Sequence, residues 1–232
     1  MSSISASPSR TEQIAISTQL PALIGAGAVT LFGMGAYAVV TLGPLSRHMG
    51  VHIALMNVAA PICAAFLALA WPTACRATGN VLWTATIGQM TLLWAGHVPA
   101  VQLTAMMSPL VHALLHTSLF GIAFLFWLAV ASSTGARWQS MLALLVTGKL
   151  ACMLGALLVF SPRLLYPNPP AATVHHAGDW PSLADQHLAG LLMIAACPLS
   201  YVLAGIVLTA QTMTDLGKDA RSLDNRSLSP AR

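Results

Sequence analysis

Charged side chains are scarce in this chain, and acidic ones are the scarcest. Of its 232 residues, 7% are charged and only 6 are Asp or Glu. A soluble domain carries about 25% charged residues, so this chain has too few to coat a globule in water. The net charge of +4 comes from scattered basic residues rather than from a dense patch. Nucleic-acid binding is therefore not indicated.

Several motifs that would define an enzyme or a pump are also missing. The sequence has no phosphate-binding P-loop, so a pump driven directly by ATP is unsupported. Asn57 and the segment His187-Leu-Ala-Gly190 bear a superficial likeness to rhomboid proteases. The Gly-x-Ser-type motif that would supply the nucleophile is absent, which argues against covalent peptide hydrolysis.

Cysteine is infrequent and lacks a CxxC pairing. The four cysteines are Cys63, Cys75, Cys152 and Cys197. They lie mostly within apolar runs, where a thiol behaves as a small hydrophobic side chain. We expect buried, inert thiols rather than a redox or metal site made of cysteine pairs.

Long apolar runs dominate the chain, and 56% of its residues are hydrophobic. The runs cover residues 20–42, 48–71, 80–97, 110–132, 139–160 and 186–210. A run of about twenty apolar residues crosses a hydrocarbon layer ~30 Å thick. The pattern predicts an all-α polytopic membrane bundle of about six transmembrane helices over residues 20–210. We expect a disordered N-terminal segment over residues 1–19 and a C-terminal tail over residues 211–232.

The distribution of basic residues predicts the orientation in the bilayer. Six crossings place both termini on one side. That side holds Arg10, Arg76, Arg137, Lys218, Arg221, Arg226 and Arg232. The opposite side holds only Arg47 and Arg163. Lys and Arg accumulate on the cytoplasmic side, so both termini are predicted to be cytoplasmic.

The same alternation of crossings places the histidines on the opposite side of the membrane. They are His48, His52, His97, His112, His116, His175, His176 and His187. All eight fall at the outer end of the predicted helices or in the outer loops, whereas random placement would divide them between the two faces. A one-sided set of imidazoles indicates metal, haem or proton chemistry at the outer boundary.

Two histidine pairs have the spacing of metal ligands. His48/His52 and His112/His116 are four residues apart, which stacks their imidazoles on one helix face. Met49 and Met56 lie within about 100° of the first pair around the helix. Imidazole suits copper, zinc and iron, and thioether sulfur favours Cu(I). The mixed set of histidine and methionine therefore indicates copper.

Several positions outside the histidine pairs also carry expectations. Asp185, near the outer end of the sixth helix, could orient a histidine as a hydrogen-bond acceptor. Lys149 lies near mid-membrane, where a charge is costly, and we expect it to extend its side chain to the cytoplasmic surface. Pro61 and Pro198 interrupt predicted helices and indicate kinks. Met106 and Met107 are expected in an outer loop before His112.

Four blocks of sequence resemble the CtaG-type cytochrome c oxidase assembly factors. The blocks are Arg47-His-Met-Gly-Val-His-Ile-Ala-Leu-Met56 with Ala59-Ala-Pro61; His97-Val-Pro99; Ser108-Pro-Leu-Val-His-Ala-Leu-Leu-His116 with Phe126-Trp127; and Asp185-Gln-His-Leu-Ala-Gly190. The resemblance extends from about residue 48 to residue 211. In the last block the family typically has a glutamine where this chain has His187.

The resemblance implies a multi-pass protein of the bacterial inner membrane that is needed to assemble haem–copper oxidase and is not an enzyme. It implies copper supply to the oxidase subunit that carries the buried copper centre, and a periplasmic copper donor is a further expected partner. The candidate copper residues that it supplies are His48, His52, His97, His112 and His116. His187 is a further candidate, and Met49 and Met56 join the set from their positions in the helix.

A b-type haem or quinone-linked redox protein is the alternative. Two histidines on different helices could ligate a haem iron, and nothing in the spacing excludes that arrangement.

Overall fold

The computed structural model describes residues 42–71, 79–132, 137–166 and 181–227. The chain divides into two units, Met1–Leu42 and Gly43–Arg232, and nearly all of the first lies outside these ranges. The predicted N-terminal segment and first helix therefore fall outside the described residues, as do Cys75, His175 and His176. The second unit is described below.

The described residues are helical, with no strand among them. The helices are α1 (Pro44–Ala70), α2 (Gly79–Gly96), α3 (Pro99–Met107), α4 (Pro109–Ser132), α5 (Arg137–Phe160) and α6 (Leu183–Ser227). Proline starts α1, α3 and α4, where its missing N–H costs nothing and its fixed φ suits the first turn. The predicted all-α class is thus confirmed for the part of the chain that the structure describes.

Four of these helices are long and apolar enough to cross a membrane, judged by length and composition. The candidate spans are Pro44–Ala70, Pro109–Ser132, Arg137–Phe160 and Leu183–Lys218. Several large apolar side chains are exposed on α1, among them Ile62, Phe66 and Leu69. Such a surface is suited to lipid rather than to water. Helix α2 is not among the four; it carries the buried polar side chains Thr86 and Gln89.

Two of the predicted boundaries need correction. The segment between α2 and α4 is a helix, α3, rather than a loop, so Met106 and Met107 are helical residues. Helix α6 continues to Ser227 and so includes most of the predicted tail. Arg137 at the start of α5 donates a hydrogen bond to Asp215 of α6 over 2.7 Å, which ties this extension to the bundle.

A π-helical segment, Ala54–Ala59, interrupts α1 just before Pro61. The amide of Ala60 donates to the carbonyl of Leu55, and the next residue, Pro61, has no N–H to donate to Met56. The Met56 carbonyl instead accepts the indole N–H of Trp127 over 2.9 Å. The proline expected to disturb this helix is therefore accommodated by a widened turn and a side-chain donor from α4.

Helices α5 and α6 are the most extensively packed neighbours, and α4 packs on both α1 and α2. Gly155 and Gly190 allow the close approach of α5 and α6. A Cβ built on Gly190 would lie 2.7 Å from the backbone oxygen of Gly155 and 2.7 Å from a methyl of Val159. Small residues at a helix crossing let the two backbones touch, which is how membrane helices associate.

Gly190→Ala is therefore expected to destabilise the folded protein by about 1–3 kcal/mol, the cost of overpacking a contact that includes rigid backbone. Gly205→Ala on the same helix is the control, since a Cβ there meets nothing within 4 Å. Thermal unfolding in detergent measures both. Equal melting temperatures for the two variants would contradict the close contact.

The three described cysteines are free thiols. Cys197 is buried, Cys152 is half-buried and Cys63 is exposed on α1. The expectation of buried thiols is thus wrong for Cys63, because that face of α1 is directed away from the bundle. Lys149 is exposed on α5, beside an apolar groove that includes Pro198 and Tyr201 of α6.

Candidate metal centre

Five histidines meet where α1 and α4 begin and α2 ends. His48 and His52 occupy successive turns of α1, His112 and His116 do so on α4, and His97 follows the last residue of α2. Their ring centroids lie 4.2–5.7 Å apart in six pairs. The expected convergence of imidazoles from separate helices is therefore present, and we refer to these five residues as the histidine cluster.

Three of the five form a compact set of potential ligands. His48, His52 and His116 are all buried, and each can offer a ring nitrogen that lies within 4.8 Å of the other two. His52 Nε2 and His48 Nε2 are 2.8 Å apart. Nitrogens at these separations can surround one transition-metal ion.

Two buried nitrogens in this set have no hydrogen-bond partner in the part of the chain that the structure describes. They are His52 Nδ1 and His116 Nε2. Leaving a buried polar atom unpaired costs about 1–3 kcal/mol, and such an atom calls for an explanation such as an ion or an ordered water. A metal ion bound by these two nitrogens would remove this energetic penalty.

Backbone carbonyls set which nitrogen each ring can offer. His116 Nδ1 donates to the carbonyl of His112 over 2.9 Å, and His97 Nδ1 donates to the carbonyl of Leu93 over 2.6 Å. A carbonyl only accepts, so in each neutral ring the proton is on Nδ1 and the lone pair is on Nε2. Metal-binding histidines are commonly oriented in this way, by a hydrogen bond from their other nitrogen.

Met49 extends the cluster with sulfur. Its side chain is fully buried, and its Sδ lies 3.3 Å from His97 Nε2. Met56, one turn beyond His52 along α1, is also buried and lines a small cavity together with His52 and His97. The methionines expected beside the histidines thus lie against them.

The histidines of the cluster differ in exposure. His112 is exposed, and its Nε2 lies 3.4 Å from Nδ1 of the buried His48. His187 lies apart: it is half-buried, its Nε2 is 3.4 Å from the carbonyl of Ser161, and its ring is not among the packed rings of the described residues. The cluster therefore has one solvent-accessible member, and His187 is not brought into it.

Asp185 does not orient a histidine, contrary to expectation. Its carboxylate accepts the backbone N–H of Leu45 over 2.8 Å and that of Ser46 over 3.1 Å, at the start of α1. The Ser46 hydroxyl donates to the Asp185 carbonyl over 3.1 Å. The first turn of a helix has unpaired N–H groups and a positive dipole end, both of which favour a carboxylate. Asp185 thus holds the end of α1 that carries His48.

A second set of contacts, missed from the sequence, supports His97. The Tyr166 hydroxyl donates to the His97 carbonyl over 3.2 Å, and burial raises the pKa of Tyr166 to about 12, so the phenol keeps its proton at neutral pH. The Gln186 side chain accepts the N–H of Leu165 over 2.7 Å and donates to the carbonyl of Arg163 over 3.2 Å. In the sequence Tyr166 directly precedes Pro167, and nothing in that position indicates a contact with His97.

A helical membrane protein with a buried imidazole cluster at one end of its bundle is the class that this architecture defines. Within that class, the family model for cytochrome c oxidase caa3 assembly factors (Caa3_CtaG) matches residues 7–215. The chain belongs to this family, which confirms the resemblance noted in the sequence. No curated protein and no solved structure matches the chain.

Proposed function

We propose that this protein handles copper for the assembly of cytochrome c oxidase and delivers it to the oxidase copper centre. The observation that carries the proposal is the buried trio His48, His52 and His116, whose ring nitrogens lie within 4.8 Å of one another. Two nitrogens of this trio have no hydrogen-bond partner among the described residues. Because the chain belongs to an oxidase assembly family, cytochrome c oxidase is the proposed recipient of the copper.

Copper is favoured over other metals by the composition of the cluster. Zinc in proteins takes nitrogen, oxygen and thiolate ligands, usually in a tetrahedral set. Here the neighbouring non-imidazole donor is the thioether of Met49, in contact with His97. Thioethers are soft ligands that select Cu(I). Copper is the cargo in this proposal and is passed on rather than retained.

Copper transfer requires a site at which the ion enters and a site at which it is retained. The exposed His112 beside the buried His48 supplies both, since an ion that arrives at His112 moves to nitrogens shielded from water. We place this entrance on the periplasmic side of the bacterial inner membrane, because the basic residues predict cytoplasmic termini. A periplasmic copper donor then loads the cluster, and the oxidase subunit that carries the copper centre unloads it. Binding and release involve no covalent chemistry, so the protein is not an enzyme in this proposal.

The geometry of the cluster disfavours the haem alternative. A haem held by two histidines, the arrangement considered above, needs the imidazoles on opposite sides of a flat macrocycle. The six centroid separations of 4.2–5.7 Å describe rings packed against one another. The described rings leave no gap between them wide enough for a flat haem macrocycle. A reduced-minus-oxidised spectrum of the purified protein is expected to lack the Soret shift of a haem protein.

Deletion of the gene in the native bacterium tests the proposal. Cytochrome c oxidase activity in membranes is expected to fall severalfold, and copper added to the medium is expected to restore part of it. Succinate dehydrogenase activity, which does not need copper, is the control and is expected to be unchanged. Oxidase activity that stays at the parental level, or that falls without any response to copper, contradicts copper delivery.

A further inference from the structure

A small cavity adjoins the histidine cluster on its inner side, along α1. Three sulfur-bearing side chains line it: Met56 from α1, and Met193 and Cys197 from α6. All three are buried, with exposed fractions of 4%, 2% and 7%. The cavity has a volume of about 10 Å³, close to the ~10–15 Å³ needed to hold one water-sized particle.

His52 connects the cluster to this cavity. Its Nε2 lies 2.8 Å from His48 Nε2 within the cluster, while the residue itself lines the cavity. The other nitrogen, Nδ1, has no hydrogen-bond partner, although the side chain is 95% buried (5% exposed). A neutral imidazole has one N–H and one lone pair, so a ring that donates from Nε2 to His48 keeps its lone pair on Nδ1, where it can bind a metal ion.

The lining of the cavity is rich in soft sulfur atoms. An ordered water needs two to four polar partners, and thioether sulfur is a weak hydrogen-bond acceptor. Asn57 Nδ2 already donates to Cys197 Sγ over 3.5 Å, and its side-chain oxygen accepts the hydroxyl of Ser200 over 3.0 Å. His97 and Tyr201, whose hydroxyl accepts from Gln89 Nε2 over 3.0 Å, also line the cavity. The three sulfurs together with the His52 nitrogen make a ligand set for a soft monovalent metal ion.

We propose that Met56, Met193 and Cys197, together with His52, form a second metal subsite that takes Cu(I). Cys197 binds the ion as the thiolate, so its thiol proton is released to the buffer when the ion binds. This inference rests on the proposed function, because the histidine cluster would supply the ion. His48, His52 and Met56 follow one another at intervals of four residues, about 6 Å of helix per step. A copper ion thus passes from the exposed His112 through the imidazoles to sulfur ligands one turn deeper along α1. The inner subsite restricts the cargo to Cu(I), which the imidazoles alone do not do.

Metal binding by the full-length protein, purified anaerobically in detergent, tests this subsite. Cu(I) is titrated in competition with a chromophoric Cu(I) chelator, and Zn(II) is titrated separately. The test variant is Met56→Leu with Met193→Leu, which preserves side-chain volume. The control is Met90→Leu, since Met90 is a buried methionine of α2 that does not line the cavity.

The double variant is expected to bind Cu(I) at least about tenfold more weakly, the scale on which the loss of even an outer partner weakens a metal site. Its Zn(II) affinity is expected to match that of the parent, because zinc is held by the imidazoles. X-ray absorption of the Cu(I)-loaded parent is expected to show sulfur neighbours, with fewer of them in the variant. The Met90→Leu protein is expected to behave as the parent in all three measurements.

The outcomes separate this inference from the proposed function. A parent that binds Cu(I) through nitrogen alone, with an unchanged affinity in the double variant, overturns the sulfur subsite and leaves the histidine cluster as the copper site. A parent that binds no copper overturns both. If the double variant fails to fold, the Cys197→Ser variant is measured instead. An unaltered Cu(I) affinity and an unaltered sulfur signal in that protein also refute the subsite.

Discussion

Protein in which His52 and His116 are both replaced by alanine is expected to bind copper at least about 100-fold more weakly than the parent. Losing a hydrogen-bond partner outside the ligand shell already costs about 10–100-fold in metal affinity, and these two residues hold the unpaired nitrogens of the trio. His48 would keep its neighbour His112, and His97 would lose its ring contact with His52. Copper content after purification and dialysis against a weak chelator measures the loss.

The matched control is His187→Ala, which removes an imidazole that lies apart from the cluster. Its copper content is expected to equal that of the parent. Circular dichroism and the melting temperature of each variant exclude unfolding as the cause of metal loss. Equal copper in the parent and in the His52→Ala/His116→Ala protein would remove the cluster from the proposed mechanism.

Asp185→Ala is expected to lower the free energy of unfolding by about 2–3 kcal/mol. The carboxylate accepts two buried N–H groups at the start of α1, and hydrogen bonds to a charged group contribute about 1.5–3 kcal/mol. The same change releases the turn that carries His48, so weaker copper binding is expected to accompany the lower stability. Thermal unfolding in detergent and a copper titration measure the two effects.

Two further variants examine the same contact from opposite sides. Asp185→Asn keeps the shape and one accepting oxygen, so its loss of stability is expected to be smaller than that of Asp185→Ala. Gly43→Ala leaves the carboxylate intact but places a Cβ against it, and it is expected to destabilise the protein as well. A parental melting temperature for both Asp185→Ala and Gly43→Ala would show that the cap does not hold α1.

The histidine pairs were predictable because their geometry is local. Residues four apart on a helix share a face whatever surrounds the helix, so His48/His52 and His112/His116 needed only the recognition of two apolar runs. Placing both pairs at the same end of the bundle needed only the alternation of crossings. The approach of His97 followed from the same alternation, since α2 runs in the opposite sense to α1.

Asp185 and Tyr166 could not be assigned in that way. Asp185 contacts residues 139 and 140 positions away, and Tyr166 contacts His97 at a separation of 69. Periodicity carries no information about partners at such distances. The prediction that Asp185 orients a histidine was reasonable for a carboxylate near imidazoles, but the unpaired N–H groups of the α1 terminus compete for the same acceptor.

By itself the sequence determined that this chain is a helical membrane protein, where most of its helices lie and which residues share a helix face. The length of a hydrophobic run and the 3.6-residue period are properties of one segment at a time, so they can be read from the sequence alone. Only the tertiary structure decided which imidazoles meet, which nitrogens are left unpaired, and that sulfurs from α1 and α6 line one cavity. Those features depend on how separate helices pack, and packing is set by contacts between residues far apart in the chain.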